Sequence, residues 1–309
     1  MDDTLLEQLD ADIVRLATDY VCTPVVEIFQ DISRLRRAVF ELLGGRQYPY
    51  QTAHLYLAAG RLCGLATHVA LDLGQYAAAA THSRMVWRCA ESAGDNGLRA
   101  WVRSVQSLIA YWQENYAQAA DVAKAGLPYA DSGTIAARLL SLEARAAAAL
   151  GDTPRALRSL EAAKDARSAC TANSDLPGVF TFPEAKQWTY TGTALLTVGG
   201  RPQVNRAIAL YESAPRQDRS FGDLQAARHD LATAHLVNGD IDGVRETLTA
   251  VLDVEPGRRT ASISKRLHAL SAHLAEPTYA RSPMVRSLRD NVREACTRPV
   301  LANPPEPTT

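Results

Sequence analysis

Histidine pairs are the side chains whose spacing comes nearest to that of a catalytic or metal site. His229 and His235 are six residues apart, and His268 and His273 are five apart. Neither spacing places both rings on one face of a helix, where two metal ligands would have to meet. The paired aspartates near the start of the chain are typical of charges at the beginning of a helix. The sequence therefore predicts no metal site and no cofactor.

The short motifs of common enzymes are also missing. We find no HExxH, no GxSxG, no phosphate-binding loop and no GxGxxG in the sequence. Catalysis would require that side chains from several helices converge in one groove, which a sequence alone does not reveal. An enzyme stays the alternative to a binding protein.

Arginine offers a second kind of chemistry, the binding of an anion. Arg138 and Arg145 are seven residues apart, which on a helix means the same side and a separation of about 10 Å. Lys186 begins a later helix, and we expect it beside Arg138. Because guanidinium groups pair well with carboxylates and phosphates, these three residues predict a site for a small anionic ligand. The alternative is a solvated, salt-bridged face, and in both cases we expect Arg145 to be half-exposed.

The composition indicates the fold class that positions these residues. Hydrophobic residues make up 47% of the 309 residues, but aromatic residues only 6%. The core must therefore consist mainly of Ala, Leu and Val, and Ala and Leu favour helices. Runs with strand periodicity and hairpin turns are missing, so we predict an all-α fold. The formal net charge of -1 argues against direct nucleic-acid binding.

Cysteine usage and the N-terminus predict a compartment. The five cysteines are scattered without a CxxC pair, which is typical of reduced thiols. The N-terminal residues are acidic and amphipathic, unlike a signal peptide. No apolar stretch approaches the roughly 20 residues that span a bilayer. We therefore expect a cytoplasmic protein without a membrane partner.

One pattern recurs five times along the chain. The gapless copies are ATHVALDLGQY (66–76), QSLIAYWQENY (106–116), EARAAAALGDT (143–153), TGTALLTVGGR (191–201) and LATAHLVNGDI (231–241). The second position is always small: Thr67, Ser107, Ala144, Gly192 and Ala232. The ninth position is Gly in all copies but one: Gly74, Glu114, Gly151, Gly199 and Gly239. A small or β-branched residue follows: Ala79, Ala119, Ala156, Val204 and Val244.

Each of these positions has a physical reason. A small residue in a first helix lets a second helix approach closely. The small or β-branched residue about five positions after the turn faces it from that second helix. Gly ends the first helix because it adopts the left-handed conformation most easily. The pattern therefore predicts helix pairs at about 52–93, 97–130, 133–169, 183–214 and 222–254.

The pattern resembles the tetratricopeptide repeat, which runs small–x6–Gly–x–aromatic–x2–Ala. Tyr76 and Tyr116 occupy its aromatic position, whereas Thr153, Arg201 and Ile241 depart from it. The copies are 37 to 48 residues apart, longer than the family period of about 34, so helices or loops must be extended. The resemblance implies a right-handed superhelical solenoid of about five helix pairs.

The flanking sequence completes the domain prediction. Residues 1–50, broken at Pro24, are expected to form N-terminal capping helices, and residues 51–257 the tetratricopeptide-like repeats. Residues 258–297 are expected to form C-terminal capping helices, since an end repeat would otherwise expose its apolar face. The proline-rich residues 298–309 are expected to be a disordered tail.

Three stretches narrow the resemblance further. Residues 97–112, 178–190 and 210–236 are similar to the repeat half of actinobacterial regulators of the XRE type. In those regulators a helix-turn-helix DNA-binding domain precedes the repeats, and we find no room for one before residue 10. The resemblance implies a regulatory role, including regulation of secondary metabolism, for a sensory or interaction half without the DNA-binding half.

In the tetratricopeptide register the first helices line a concave groove. The predicted groove residues are Arg61, Gly64, His68, Trp101, Ser104, Leu108, Tyr111, Arg138, Ser141, Arg145, Lys186, Thr189, Thr193, Ala226, His229 and Thr233. Such a groove is basic, polar and partly aromatic. Trp101 and Trp112 are candidate aromatic anchors for a ligand, with plain packing as the alternative.

The stretch 171–182 interrupts the regular repeat spacing. Phe180 and Phe182 fall on one side of an extended segment, and Pro183 after them suits the first turn of a helix. Either the two rings pack beneath the loop as a plug, or the loop closes over the groove as a lid. Phe221, at the next boundary between helices, is a third lid candidate.

Together these features favour a non-catalytic regulatory or interaction protein. It would bind a peptide, a protein partner or a small anionic metabolite in the groove, without a cofactor and without direct contact to nucleic acid. Association with a second copy of the chain stays open. The alternative is a solenoid recruited as a biosynthetic enzyme with its site in the groove.

Overall fold

The structure is a computed structural model that describes residues 3–170, 175–200, 205, 206, 209, 220–253, 258–279 and 282–297. Over these residues the chain is all-α, as predicted, and no β-strand occurs among them. The chain divides into two compact units, Met1–Phe182 (unit 1) and Pro183–Thr309 (unit 2). The predicted tail and Val204 lie outside the described residues. No helix of the described part is long and apolar enough to cross a membrane.

Unit 1 is built from helix hairpins. Its α-helices are α1 (Asp3–Tyr20), α2 (Val25–Leu43), α3 (Pro49–Asp72), α4 (Tyr76–Ala93), α5 (Asn96–Trp112), α6 (Tyr116–Gly126), α7 (Ile135–Ala149) and α8 (Thr153–Ala169). The predicted break at Pro24 is confirmed. The pairs α3–α4, α5–α6 and α7–α8 pack as hairpins, and α5 contacts both α3 and α7. The first helices of the three pairs therefore lie side by side.

Unit 2 continues with the same kind of hairpin. Its α-helices are α9 (Glu184–Val198), α10 (Phe221–Val237), α11 (Ile241–Leu252), α12 (Ala261–Leu274) and α13 (Pro283–Thr297). The pairs α10–α11 and α12–α13 pack together, and both α9 and α12 contact α10. Most of the second helix predicted for the fourth pair lies outside the described residues.

The turns between paired helices have the backbone that the pattern predicts. The ninth residue of each copy has a φ between 64° and 79°: Gly74, Glu114, Gly151, Gly199 and Gly239. Glu114 is the only residue other than glycine with positive φ in the described part of the chain. After Gly74, Glu114, Gly151 and Gly239 the next N–H bonds to a carbonyl five residues back, as Asn115 does to Ala110 at 2.9 Å. This bond closes a Schellman turn, which needs a left-handed residue.

The small residues of the pattern lie where paired helices touch. All second-position residues are buried: Thr67, Ser107, Ala144, Gly192 and Ala232. The small or β-branched residues that follow the turns are buried as well, where they are described: Ala79, Ala119, Ala156 and Val244. In the second pair, the Ser107 hydroxyl donates to the Ala119 carbonyl at 2.8 Å. Small side chains therefore allow the backbones of the two helices to approach closely.

The last two helix pairs of unit 2 share an apolar core that consists mainly of Leu, Val and Ile. A buried arginine joins two of these helices. Arg259 is 2% exposed, and its guanidinium donates to the Ala295 carbonyl at 2.6 Å and to the Leu252 carbonyl at 3.2 Å. Both carbonyls lie at the C-terminal ends of helices, where no intrahelical donor is available. The positive charge also suits the negative end of each helix dipole. Arg259 therefore caps α11 and α13 together.

Candidate functional site

The first helices of unit 1 bring most of the predicted groove residues onto one face. We call it the first-helix face and define it by residues of α3, α5 and α7: Arg61, Gly64, His68, Trp101, Ser104, Leu108, Arg138, Ser141 and Arg145. The ring centroids of His68 and Trp101 are 5.6 Å apart, and Cζ of Arg138 is 5.7 Å from the Trp101 ring. A Cβ at Gly64 would lie 2.8 Å from the indole. The missing side chain therefore lets Trp101 pack against α3.

Helix α1 covers the α3 side of this face through an acidic residue. The Asp10 carboxylate accepts a hydrogen bond from Arg61 at 3.2 Å and lies 3.0 Å from Nε2 of His54. Burial lowers the pKa of Arg61, against the opposing effect of the nearby Asp10 carboxylate. Arg61 is therefore engaged with α1 and is not presented to an open groove.

An aromatic contact continues the cover from α1. The Tyr20 hydroxyl donates to the Asp72 carboxylate at 2.5 Å, and its ring centroid is 6.0 Å from that of His68. Burial, followed by the negative charge of Asp72, raises the pKa of Tyr20 well above its ordinary value. The phenol therefore remains a hydrogen-bond donor across the neutral pH range.

A second part of the chain, residues 175–182, covers the centre of the face, and we call it the covering segment. The Val179 carbonyl accepts hydrogen bonds from Nε1 of Trp101 at 3.1 Å and from Nη1 of Arg138 at 2.8 Å. The ring centroids of Phe180 and Trp101 are 4.8 Å apart. Trp101, Arg138 and Phe180 are only 3%, 1% and 8% exposed. The first-helix face is therefore occupied by a peptide of the same chain.

Thr134 anchors both ends of the covering segment. A carboxylate oxygen of Asp175 accepts a hydrogen bond from the Thr134 N–H at 2.9 Å and another from the Thr134 hydroxyl. At the other end, the Phe182 N–H donates to the Thr134 hydroxyl oxygen at 2.9 Å. Arg167 donates to the Phe182 carbonyl, and the Phe182 side chain is fully buried. Asp175 thereby satisfies a backbone donor at the start of α7.

Gly178 brings the covering segment against the backbone of α1. Its φ is 67°, and a Cβ built there would lie 1.7 Å from the Ala17 carbonyl oxygen. Any side chain at this position would suffer both the clash and the left-handed backbone, so the contact requires glycine. Gly178 also begins a short 3-10 turn, Gly178–Phe180, at the end of which the Phe180 ring contacts Trp101.

The expectation of a half-exposed, solvated face is wrong for the two central arginines. Arg145 is 2% exposed, and its Cζ lies 4.5 Å from the centroid of the Tyr111 ring. Arg138 is 1% exposed and donates to a neutral carbonyl. Ser104, also a predicted groove residue, is fully buried and donates to the Trp101 carbonyl at 2.6 Å. The repeat register describes helix pairs alone, so it could not include the loop that covers Arg138.

The two rings proposed as a plug or a lid have different surroundings from the third candidate. Phe180 and Phe182 are both buried as part of the covering segment, so the plug alternative describes their packing. Phe221 belongs to unit 2, where it packs against the apolar core, and Cζ of Arg258 is 5.4 Å from its ring. As placed, Phe221 is a packing residue.

The remaining predicted residues also belong to unit 2. Lys186 forms an ion pair with Asp223 at 3.4 Å. His229 is 1% exposed, and neither ring nitrogen has a hydrogen-bond partner among the described residues. Burial, and then the positive charge of Arg266, lower the pKa of His229 to about 3. The imidazole is therefore neutral at pH 7.

Metal ligands and thiols are the other groups of the described residues that could carry chemistry. No group of three or more His, Cys, Asp or Glu side chains among them is arranged to hold a metal ion. All five cysteines are free, and burial raises the pKa of Cys63 to about 11 and that of Cys89 to about 12. Such thiols are poor nucleophiles at neutral pH. The polar groups of the first-helix face instead donate hydrogen bonds to a peptide carbonyl.

Sequence reasoning missed the residues that hold the covering segment in place. The Pro177–Gly178 dipeptide is a turn signal that could have indicated a special backbone there. Thr134 and Asp175 carried no comparable signal, because they are 41 residues apart in the sequence. Ala17 could not be recognised from its residue type either, because it contacts Gly178 through its backbone carbonyl. Contacts of this kind depend on tertiary structure.

Unit 1 thus presents a surface that holds an extended peptide through main-chain hydrogen bonds and an aromatic contact. The tetratricopeptide resemblance depends on the pattern and the turns described above, so the function has to be argued from the geometry of this surface. No family model matches the chain, and no curated protein matches it.

Proposed function

We propose that this protein is a non-catalytic interaction protein that binds a peptide, or an extended segment of a partner protein, on the first-helix face of unit 1. One observation carries the proposal: the chain's own covering segment lies on that face and is held there by its backbone. Trp101 and Arg138 donate to the Val179 carbonyl at 3.1 and 2.8 Å. Because every residue has a carbonyl, these donors suit many peptide sequences.

A peptide fits this face better than a small anionic metabolite does. Arg138 already donates to a neutral carbonyl, and the Arg145 guanidinium lies over the Tyr111 ring. An anion would have to displace both arrangements, whereas a peptide can reproduce the first. The Trp101 ring also offers an aromatic side chain a partner at 4.8 Å, and aromatic anchors in desolvated pockets dominate many protein interfaces.

The proposal includes a tetratricopeptide-like solenoid of about five helix pairs. Turn residues with positive φ in all five copies and buried small residues at the helix contacts support it. First helices line the concave side of such solenoids, which agrees with the covering segment lying on α3, α5 and α7. The resemblance to the repeat half of XRE-type regulators supports a regulatory role, in which the bound segment shifts a balance between two conformations.

The test is selection of peptides from a random display library on the immobilised full chain. Affinities of the selected peptides are then measured by fluorescence anisotropy on Phe180→Ala, which weakens the covering segment, and on Phe180→Ala/Arg138→Met, which also removes the donor and keeps much of the volume. We expect binding to weaken by about tenfold or more, as for the loss of a charge-assisted hydrogen bond.

The matched control is Arg103→Met on the same helix as Trp101. Arg103 stacks on the Trp87 ring of α4, with Cζ 4.1 Å from the ring centroid, and contributes nothing to the covering segment's hydrogen bonds given above. In the Phe180→Ala background, we expect this variant to bind peptides as Phe180→Ala alone does. Failure to select any peptide, or equal affinities for Phe180→Ala and Phe180→Ala/Arg138→Met, would rule out binding on this face.

A further inference from the structure

We propose that the first-helix face recognises the pattern Asp–x–x–Gly–x–Phe–x–Phe, and that the covering segment is an internal copy of the sequence that the partner presents. This inference rests on the proposed function and names its partner: a peptide segment with this spacing, which binds when the covering segment leaves the face. In this chain the pattern is formed by Asp175, Gly178, Phe180 and Phe182.

The glycine of the pattern is the most stringent position. The Gly178 backbone lies so close to α1 that a Cβ would be 1.7 Å from the Ala17 carbonyl oxygen and 3.0 Å from the Thr18 nitrogen. The obstacle is helix backbone, which cannot move aside as a flexible side chain would. The φ of 67° is also costly for any residue with a side chain. A competing peptide must therefore carry glycine here.

The first aromatic position, that of Phe180, lies between the Trp101 ring and Gly64, which has no side chain. The Phe180 ring centroid is 4.8 Å from that of Trp101, at an interplanar angle of 40°. A Cβ at Gly64 of α3 would lie 3.6 Å from Cε1 of Phe180, so the ring also lies close to that helix. Such aromatic pairs add to the burial of apolar area. An aliphatic side chain would lose this contribution.

The outer positions are selected by charge and volume. The carboxylate at the first position accepts two hydrogen bonds from Thr134 at the start of α7, where the helix dipole also favours a negative charge. The last side chain, Phe182, is fully buried and lies beside Arg167, whose Cζ is 5.6 Å from its ring. An acidic residue and an aromatic residue therefore fit the two ends.

The covalent link explains why this face is filled in the isolated chain. A tethered segment has an effective concentration of the order of millimolar, so an identical peptide in solution competes poorly with it. Weakening the tethered copy should expose the face to the peptide. This relation between the two copies is what an internal copy predicts, and general stickiness of the surface does not predict it.

The experiment uses a fluorescent synthetic peptide with the sequence of residues 175–184 and full-length chains. Anisotropy titrations compare the wild type with Phe180→Ala and with Asp175→Ala, which weaken the covering segment at different points. We expect the peptide to bind each variant at least about tenfold more tightly than the wild type. Phe40→Ala is the matched control, because Phe40 is 37% exposed on α2 and lies outside the segment. Circular dichroism establishes that each variant is folded.

A second pair of peptides tests the pattern itself. The peptide with alanine in place of its glycine should lose at least about tenfold in affinity for Phe180→Ala, and scrambling the residues should abolish binding. Equal binding of the glycine and alanine peptides would overturn the pattern. If library peptides bind this face but the 175–184 peptide binds no variant, the internal-copy inference is wrong and the proposed function stands. If neither kind of peptide binds the folded chains, both are wrong.

Discussion

The two units satisfy the buried polar groups of their first helices in different ways. In unit 1, Trp101 and Arg138 donate to a backbone carbonyl of the covering segment. In unit 2, the polar groups bond to one another: Thr193 donates to Asp230, and Asp230 also pairs with Arg266. Buried polar groups of the first helices thus bond to a loop backbone in unit 1 and to other side chains in unit 2.

This difference teaches which unit is suited to recognition. A donor that binds a carbonyl can exchange one peptide for another without loss, because all peptides carry that group. A buried network such as Thr193–Asp230–Arg266 has partners of fixed identity, and removal of either charged member leaves the opposite charge without its ion-pair partner. The contrast supports the binding surface that we propose on unit 1, and it indicates a structural role for the Thr193–Asp230–Arg266 network, the polar layer of unit 2.

The largest effect should come from the buried end of the covering segment. Phe182→Ala removes a fully buried ring and should lower the free energy of unfolding by about 4 kcal/mol through lost burial and a cavity. Phe221→Ala in unit 2 removes a partly buried ring and should cost about half as much. Urea titrations followed by circular dichroism measure both. Equal losses would mean that the covering segment is no better packed than an ordinary half-buried aromatic.

The polar layer of unit 2 should be nearly as sensitive. Asp230→Ala leaves the Arg266 guanidinium largely buried without its carboxylate, and should destabilise the chain by about 3 kcal/mol. The control is Asp19→Ala, which removes the partner of Arg15 in an ion pair whose side chains are about half-exposed. That change should cost less than about 0.5 kcal/mol. A small effect of Asp230→Ala would remove the structural role we assign to the layer.

His229 should make the free energy of unfolding depend on pH in the acidic range. Burial and the charge of Arg266 lower its folded-state pKa to about 3, whereas the unfolded chain binds this proton below about 6.5. The unfolded state therefore gains more protons as the pH falls from 6.5 towards 3, and stability declines in that window. We expect a loss of about 2 kcal/mol at pH 5 relative to pH 7. Thermal melts of His229→Leu should show a flatter pH profile, and an unchanged profile would contradict this.

We expect the smallest effect at the turns between paired helices, a type of turn that occurs in both units. Glu114 has a φ of 64°, so Glu114→Gly should relieve left-handed strain and raise the stability by about 1 kcal/mol. The reciprocal change, Gly239→Glu in unit 2, where φ is 77°, should lower it by a similar amount. Melting temperatures of the two variants measure the pair. Shifts of the same sign would show that the two turns are not equivalent.

Local features of the fold were predictable from the sequence. Helix breaks at Pro24 and at the repeat turns depend on one or two residues each, because proline and left-handed glycine act on the backbone where they stand. The equivalent positions of Trp101 and Arg138 on successive first helices follow from the repeat register. Even Glu114 could be assigned a left-handed backbone, since its place in the pattern is that of the glycines in the other copies.

Only the tertiary structure decided what lies on that face. Periodicity states which side of a helix a residue occupies, but it contains no information on what covers that side. The contacts between Asp175 and Thr134 and between Gly178 and Ala17 join parts of the chain that are distant in sequence. They form because the loop after α8 can satisfy buried donors that would otherwise cost free energy. The burial of Arg138 beneath that loop follows from such contacts, which no single stretch of sequence contains.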